Sequence, residues 1–567
     1  MGDTVKKKIS IGVEDFKEII EKDGYFVDKT LMIKKLIESQ AKVTLFTRPR
    51  RFGKTLNQFM IRRFFEDEIT EKGEKVDNGY LFDGLKIAEC GEEILKHQQQ
   101  YPVIFLTLKS AKQPTYEMAY ACLVDEICKE FERHSYVLAG EMPKRNRERF
   151  ERIQLGKGSR DEYAKALGFL SECLFKYHGK SAFILIDEYD VPLENAYFEG
   201  FYDKMIQFIR SLFESALKTN PYLEKSVITG CLRISKESIF TGLNNLKVDS
   251  VLRTEYGDSF GFTESEVEAM LAYYNLQEEL PEVKEWYDGY LFNDIEIYNP
   301  WSIINYVYDR DRKITKFALP YWSNSSSNSI IREMVGEADA DAKRDLETLI
   351  NGGTIEKQVH EDITYGDIHQ MQDNLWNFLF FTGYLKKAGE QKEGNNLKLE
   401  MKIPNIEIAT IYENSISYWF EQRIKETDRS PLVRALETGD CEAAEDFINR
   451  QLADTISYYD YAENFYHGFM AGLLVNIGGY SVKSNRESGN GRPDIVMQTV
   501  QVRKGRVILL EFKIAGSVAE MDAACDRGLA QIEEQHYAEP FITEGYPEVK
   551  KYALSFCKKE CMVKKAE

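Results

Sequence analysis

The stretch Thr47-Arg48-Pro49-Arg50-Arg51-Phe52-Gly53-Lys54-Thr55 combines residue types that suit the binding of a polyphosphate. A lysine and a hydroxyl placed where a loop runs into a helix can set an ammonium against terminal phosphates and a hydroxyl against Mg²⁺, while backbone N–H groups at the helix start face the anion. The spacing follows G-x-x-x-x-G-K-[ST] with one departure. Arg48 stands at the first glycine position, so the loop needs another way to turn, which Pro49 can set. Arg51, Phe52, Gly53, Lys54 and Thr55 are the candidate phosphate-binding residues, with an exposed basic turn as the alternative.

A second group supplies acids. Phe183-Ile184-Leu185-Ile186 reads as a buried strand that ends in Asp187-Glu188, which places two carboxylates at the carboxyl edge of a parallel sheet. Asp187 could hold Mg²⁺ directly or through water, and Glu188 could orient and deprotonate an attacking water. A third strand, Ser226-Val227-Ile228-Thr229-Gly230, offers Thr229 as a sensor of the terminal phosphate, with Arg233 just beyond. Capping or surface roles are the alternative for both. The ligand this set implies is a nucleotide with Mg²⁺.

A separate constellation lies near the C-terminus. Gly491-Arg492-Pro493-Asp494-Ile495-Val496-Met497 passes from a turn into a strand, Arg506–Ile514 is a second strand, and Lys504-Gly505 can close a hairpin between them. Period-two geometry puts Glu511 and Lys513 on one face, and the hairpin can bring Asp494 beside them. Two carboxylates and a lysine suit metal-assisted phosphodiester hydrolysis. Asp494 and Glu511 would hold Mg²⁺ or Mn²⁺, the Phe512 carbonyl could complete the shell, and Lys513 would assist the attacking water or the charge on phosphate. A cross-face ion pair beside a common Pro-Asp turn is the alternative. Helices are expected on either side. One over Asp460–Val475 carries Glu463, a further candidate metal ligand, and one over Ala519–Tyr537 carries Gln531, a candidate contact to the scissile strand or to a metal-bound water. His467, one turn beyond Glu463, reads as a helix-face or core residue rather than a base.

The elements that position these residues imply an α/β multidomain chain. Val43–Phe46 reads as a buried strand before the loop, and Leu56–Phe65 has the apolar spacing of a helix after it. Residues 1–258 are expected to form a P-loop domain on a parallel sheet, 259–404 a mainly helical middle region, and 405–567 an α/β unit built around the hairpin. Thr263 and Glu266 have the spacing of a capping box opening the middle region. Its many Tyr and Trp residues are read as core, and Gly389–Asn396 as a polar turn between strands or a short linker.

At 567 residues the chain is long enough for several cores, and 43% hydrophobic with 13% aromatic residues exclude a disordered chain. Nine cysteines without a C-x-x-C pair fit reduced thiols and a cytoplasmic protein, and Cys557 and Cys561, in what reads as a Lys-rich tail, are expected to be spare thiols rather than ligands. No apolar run approaches a membrane span, so no membrane partner is expected. The net charge of −19 excludes indiscriminate coating of nucleic acid but leaves room for a local basic groove. The run Lys144–Arg149 reads as a solvated helix face.

Nearly end to end, the chain resembles bacterial proteins with an AAA-ATPase-like domain at the N-terminus and a PD-(D/E)XK nuclease-like domain at the C-terminus. The resemblance rests on Tyr25–Thr30, Arg48–Thr55, Leu185–Asp190, Thr229-Gly230 with Phe240–Asn245, Trp286–Tyr290, Tyr298–Ser302 and Phe381–Leu385. In that family an Arg-Pro-Arg-Arg-Phe-Gly-Lys loop is usual, so the resemblance implies that Arg48 is a family variant rather than decay of the site. It further implies ATP binding at Lys54 and Thr55 and a Mg²⁺-dependent nuclease site at Asp494, Glu511 and Lys513.

Two functions follow as expectations. In one, nucleotide binding or hydrolysis gates cleavage of nucleic acid, DNA in the first place. In the other, a nucleotide-controlled switch grips nucleic acid or a partner without cutting. Self-association is left open; a ring would need an arginine in trans, for which Arg233 and Arg253 are the candidates.

Overall fold

Short apolar runs build the first sheet, and the burial of its inner strands follows from its parallel topology. The computed structural model describes residues 6–233, 239–240, 245–253, 255–323, 331, 339–359, 372–393, 396–454, 463–475, 477–484 and 491–566. The chain divides into two compact units, Met1–Ser327 with Gly352–Ile411, and Asn328–Asn351 with Tyr412–Glu567.

In the first unit β1 (Val43–Thr47), β2 (Val103–Thr107), β3 (Ala182–Asp187), β4 (Leu223–Gly230) and β5 (Leu246–Asp249) form an all-parallel sheet in the order β2-β3-β4-β1-β5. Every residue of β1 and β3 is buried, as expected where crossover helices cover both faces. The helix Lys54–Phe65 leaves the end of β1 and packs back on the sheet, where Phe65 stacks on Phe183 with ring centroids 4.2 Å apart. Its buried Gln58 donates to the Ile186 and Val227 carbonyls, tying the helix to β3 and β4. Because β4 lies between β1 and β3, the loop and the acid pair sit about two strand spacings apart, roughly 10 Å, until the loop leans across.

The rest of this unit combines helices with two small antiparallel sheets. One contains β6 (Phe262–Thr263), β7 (Tyr290–Phe292) and β8 (Ile295–Tyr298) in the order β6-β8-β7. The other contains β9 (Ile355–Val359), β10 (Lys386–Glu393) and β11 (Asn396–Lys402) in the order β10-β11-β9. The segment predicted as a turn between strands does lie between two paired strands, with narrower bounds than 389–396: Gly389–Glu393 complete β10, and Asn396 opens β11. Glu266 accepts from the Thr263 N–H at 2.8 Å, as the capping spacing suggested. Tyr287, Tyr298 and Tyr306 are fully buried in a helical core, so the aromatic density of this region is spent on packing.

In the second unit β12 (Tyr480–Ser484), β13 (Ile495–Thr499), β14 (Arg506–Ile514), β15 (Glu548–Cys557) and β16 (Glu560–Lys565) form a mixed sheet in that order, parallel only between β14 and β15. The helices Glu463–Leu474 and Met521–Glu534 flank the hairpin in sequence, close to their predicted positions. The segment expected to be a Lys-rich tail instead forms β15 and β16, and Cys557 and Cys561 are buried in them. No described helix is long and apolar enough to cross a membrane.

Candidate functional site

Lys54 opens its helix with Gly53 before it in the left-handed region (φ 82°), a conformation that glycine adopts without a Cβ clash. The lysine side chain is 5% exposed and folds back into the loop, where Nζ donates to the carbonyls of Arg48 and Pro49, both at 2.9 Å, beside Cys231 Sγ at 3.4 Å. Thr55 Oγ1 donates to Asp187 Oδ2 at 2.8 Å, and Thr229 Oγ1 donates to Asp187 Oδ1 at 2.6 Å. The lean of the loop thus brings the hydroxyl of one predicted element onto the carboxylate of another. Asp187 is fully buried, and burial, followed by the charge of Glu188, pushes it up to about 6 against the opposing pull of Thr229, Thr55 and Lys54.

Arg48 does not face this loop's ligand side. It is fully buried, pairs with Asp249 Oδ1 at 2.5 Å, donates to the Thr47 and Asp249 carbonyls, and lies over the rings of Phe260 and Phe292. The residue at the missing-glycine position therefore fastens the loop's first turn to the end of β5. Phe52 is also fully buried, its ring against Tyr290 and Phe292, which leaves its backbone as the part that can meet a phosphate. Arg50 forms a two-pronged pair with Glu194, at 2.7 and 2.6 Å.

A cavity of about 450 Å³ opens over the loop, with Arg50, Arg51, Lys54, Thr55 and Glu188 in its wall. Its size fits a nucleotide-sized ligand. Glu188 sits there at φ 51°, a strained position for a non-glycine residue that holds its side chain off the end of β3. Thr229 is buried behind Asp187, so any sensing of a terminal phosphate would pass through that carboxylate. Arg233 is half-buried and is not among the described residues that line the cavity. Asp190 was not singled out from the sequence as a site residue. It accepts from the Cys231 and Leu232 N–H groups at 2.7 and 3.1 Å, and burial pushes it up to about 6 although the Lys54 charge opposes this. Its partner segment runs close because Gly230 has no side chain; a Cβ there would lie 2.5 Å from the Tyr189 ring.

In the second unit the hairpin register pairs Ile495 with Leu510, which sets Asp494 beside Glu511. Asp494 Oδ2 accepts from the Phe512 N–H at 2.7 Å. Lys513 Nζ meets Glu511 Oε1 at 2.9 Å, while Glu511 Oε2 is buried with no hydrogen-bond partner. Glu511 is 3% exposed; burial, followed by the charge of Asp494, pushes it up to about 7 against the pull of Lys513 and of the Asp494 backbone N–H. An orphaned carboxylate oxygen beside a second carboxylate suits a hard divalent cation, so the residues fit such an ion. Among the described residues no group of three or more His, Cys, Asp and Glu side chains is gathered to hold a metal; Asp494 and Glu511 are the two described carboxylates at this point.

The other predicted members are placed around this pair. Glu463 begins its helix, but its side chain lies outside the described residues. Gln531 Nε2 reaches the Tyr537 hydroxyl at 3.4 Å, and that hydroxyl abuts Gly491 at the start of the loop leading to Asp494. His467, set aside in the sequence, touches the site through its backbone: Nε2 lies 3.1 Å from the Asp494 carbonyl and 3.0 Å from Ser484 Oγ, and its ring lies edge-on to Phe512. Its place one helical turn after Glu463 was the only sequence signal that it could face the same point.

Residues 10–240 match the family model described as "Predicted AAA-ATPase", and residues 461–566 match the model of the PD-(D/E)XK nuclease superfamily. A protein of Azotobacter chroococcum mcd 1 described as "Uncharacterized protein in vnfD 5'region" is 25% identical over 570 residues, covering 96% of this chain and 95% of that protein.

Proposed function

We propose that this chain, an AAA-ATPase-like domain followed by a PD-(D/E)XK nuclease superfamily domain, binds and hydrolyses ATP and cleaves nucleic acid phosphodiesters, DNA in the first place, under nucleotide control. The observation that carries the nuclease half is the buried Glu511, with one oxygen on Lys513, the other unsatisfied, and Asp494 alongside. A carboxylate kept in that state has no packing advantage over an apolar residue, which favours a working site.

At the nucleotide end Lys54 and the backbone of Phe52 and Gly53 bind the phosphates, and Thr55 with Asp187 holds Mg²⁺. Glu188 takes the proton of the attacking water at its carboxylate. At the nuclease end Asp494, Glu511 and the Phe512 carbonyl hold Mg²⁺ or Mn²⁺. When bound, that ion supplies Lewis-acid polarisation of phosphate and a more acidic water. Lys513 faces the growing negative charge, Glu511 keeps its ammonium in place, and Gln531 contacts the strand being cut.

A second reading is a nucleotide-controlled switch that grips nucleic acid or a partner without cutting. It is favoured by the net charge of −19. Purified protein given Mg²⁺ or Mn²⁺ and assayed on DNA and RNA, with and without ATP, separates the two. Metal-dependent cleavage supports the first reading, and ATP-dependent retention of intact nucleic acid supports the second.

A further inference from the structure

The cavity over the phosphate loop has an apolar end that the phosphate-binding residues do not use. Ile11, Val13, Pro300, Trp301 and Ile304 line it, brought together from the N-terminal lead-in and the start of the helix Pro300–Asp311. The lead-in is held there by an ion pair between Glu14 and Lys109 at 2.6 Å. Trp301 is fixed at two ends: its backbone N–H donates to the Asn299 side chain at 2.9 Å, and its indole N–H donates to the Tyr321 carbonyl at 3.2 Å. The next residue, Ser302, donates to the buried Glu407 at 2.7 Å, which pins the same turn of helix. The indole is therefore a rigid plate in the wall of the cavity rather than a loose surface side chain.

A planar cation already lies on that plate. The Arg51 guanidinium sits 4.4 Å from the centre of the Trp301 ring, and its backbone is in the left-handed region at φ 71°. A guanidinium stacks on an indole much as a flat aromatic ring does. Arg51 is also three residues before Lys54, within the loop read as gripping phosphate. A polyphosphate entering the loop would draw this cation by its charge and uncover the face of the ring.

We propose that Trp301 is the stacking platform for the base of the bound nucleotide, and that Arg51 exchanges the indole for phosphate when the nucleotide enters. The inference rests on the nucleotide-binding reading and deepens it by assigning the base-binding end of that site. The apolar neighbours give the base a face to stack on, as stacking platforms do.

The test compares ATP with inorganic tripolyphosphate, which carries the charge without the base, by calorimetry and by tryptophan fluorescence on the full chain. Trp301→Leu is expected to weaken ATP about tenfold and to leave tripolyphosphate within about twofold, with Trp301→Phe between the two for ATP. ATP, and not tripolyphosphate, is expected to quench a fluorescence component that Trp301→Phe lacks. Arg51→Ala is expected to weaken both ligands. Equal weakening of ATP and tripolyphosphate by Trp301→Leu, or unchanged ATP affinity in that variant, overturns the proposal. If Trp301→Leu fails to fold, the Phe variant decides by the same comparison. Lys54→Ala separates this from the underlying reading: a Lys54→Ala protein that binds ATP as tightly as wild type contradicts nucleotide binding at the loop itself.

Discussion

The Asp494 carboxylate is held at 2.7 Å by the backbone N–H of Phe512, the residue between Glu511 and Lys513. One strand thus positions all three candidate catalytic side chains, two directly and the third through its main chain. The orientation of Asp494 follows from the hairpin register, and a shift of one residue would remove it from the site.

The raised Glu511 carboxyl makes the metal-free protein sensitive to pH. Its ordinary value is 4.5 and its folded value is about 7, so the folded state holds a proton that the unfolded chain has released. Stability from this group is complete below about pH 4.5 and is lost as pH rises to 7, by roughly 3 kcal/mol at most. Glu511→Gln without metal is therefore expected to match wild type near pH 4.5 and to exceed it at pH 8. Thermal melts of both proteins across that range check this.

Metal binding should compete with the same proton. Below about pH 7 the affinity for Mn²⁺ at this site is expected to rise about tenfold per pH unit, and above it to level off, with close to one proton released per ion at pH 6. Calorimetry in two buffers of different ionisation enthalpy measures the proton directly. In Glu511→Gln the pH dependence is expected to flatten.

Arg48 and Asp249 form a pair buried on both sides. Arg48→Ala leaves Asp249 without its cation and is expected to destabilise the first unit by about 3–5 kcal/mol. The joint replacement Arg48→Met with Asp249→Leu is expected to recover most of that loss. The unfolding transition that ATP shifts is the one to follow, since a chain of two units need not unfold in one step.

His467 holds the Asp494 carbonyl from the neighbouring helix. His467→Ala is expected to weaken Mn²⁺ binding by about 10-fold or more, in the range usual for groups that orient metal ligands. His467→Gln, whose amide nitrogen can reach the place of Nε2, is expected to restore part of it. Calorimetry distinguishes this from a purely structural role, which would lower the melting temperature and leave the affinity of the folded fraction unchanged.

What could be read in the sequence was local. Gly53-Lys54-Thr55 stands between an apolar strand and a helix, Asp187 ends a strand, and Glu511 and Lys513 share a face by period two; each signal spans only a few residues. The role of Arg48 was hidden because its partners, Asp249, Phe260 and Phe292, lie some 200 residues away on elements whose contact no spacing reveals. His467 was passed over for a similar reason: its partner is a backbone carbonyl 27 residues on, and carbonyls leave no mark on residue type. The sequence of strand β16 reads as a tail because Lys564 and Lys565 outweigh the alternation of Cys561 and Val563, the two positions it buries.

The most direct measurement is cleavage of linear and supercoiled DNA by wild type, Glu511→Gln and Lys54→Ala with Mg²⁺, alongside ATP affinity for each. The expected result is that Glu511→Gln loses cleavage by at least about a hundredfold, a barrier increase of about 2.7 kcal/mol, and binds ATP as wild type does, while Lys54→Ala loses ATP binding and with it the ATP dependence of cleavage. A Glu511→Gln protein that cuts as fast as wild type would contradict the assignment of the site.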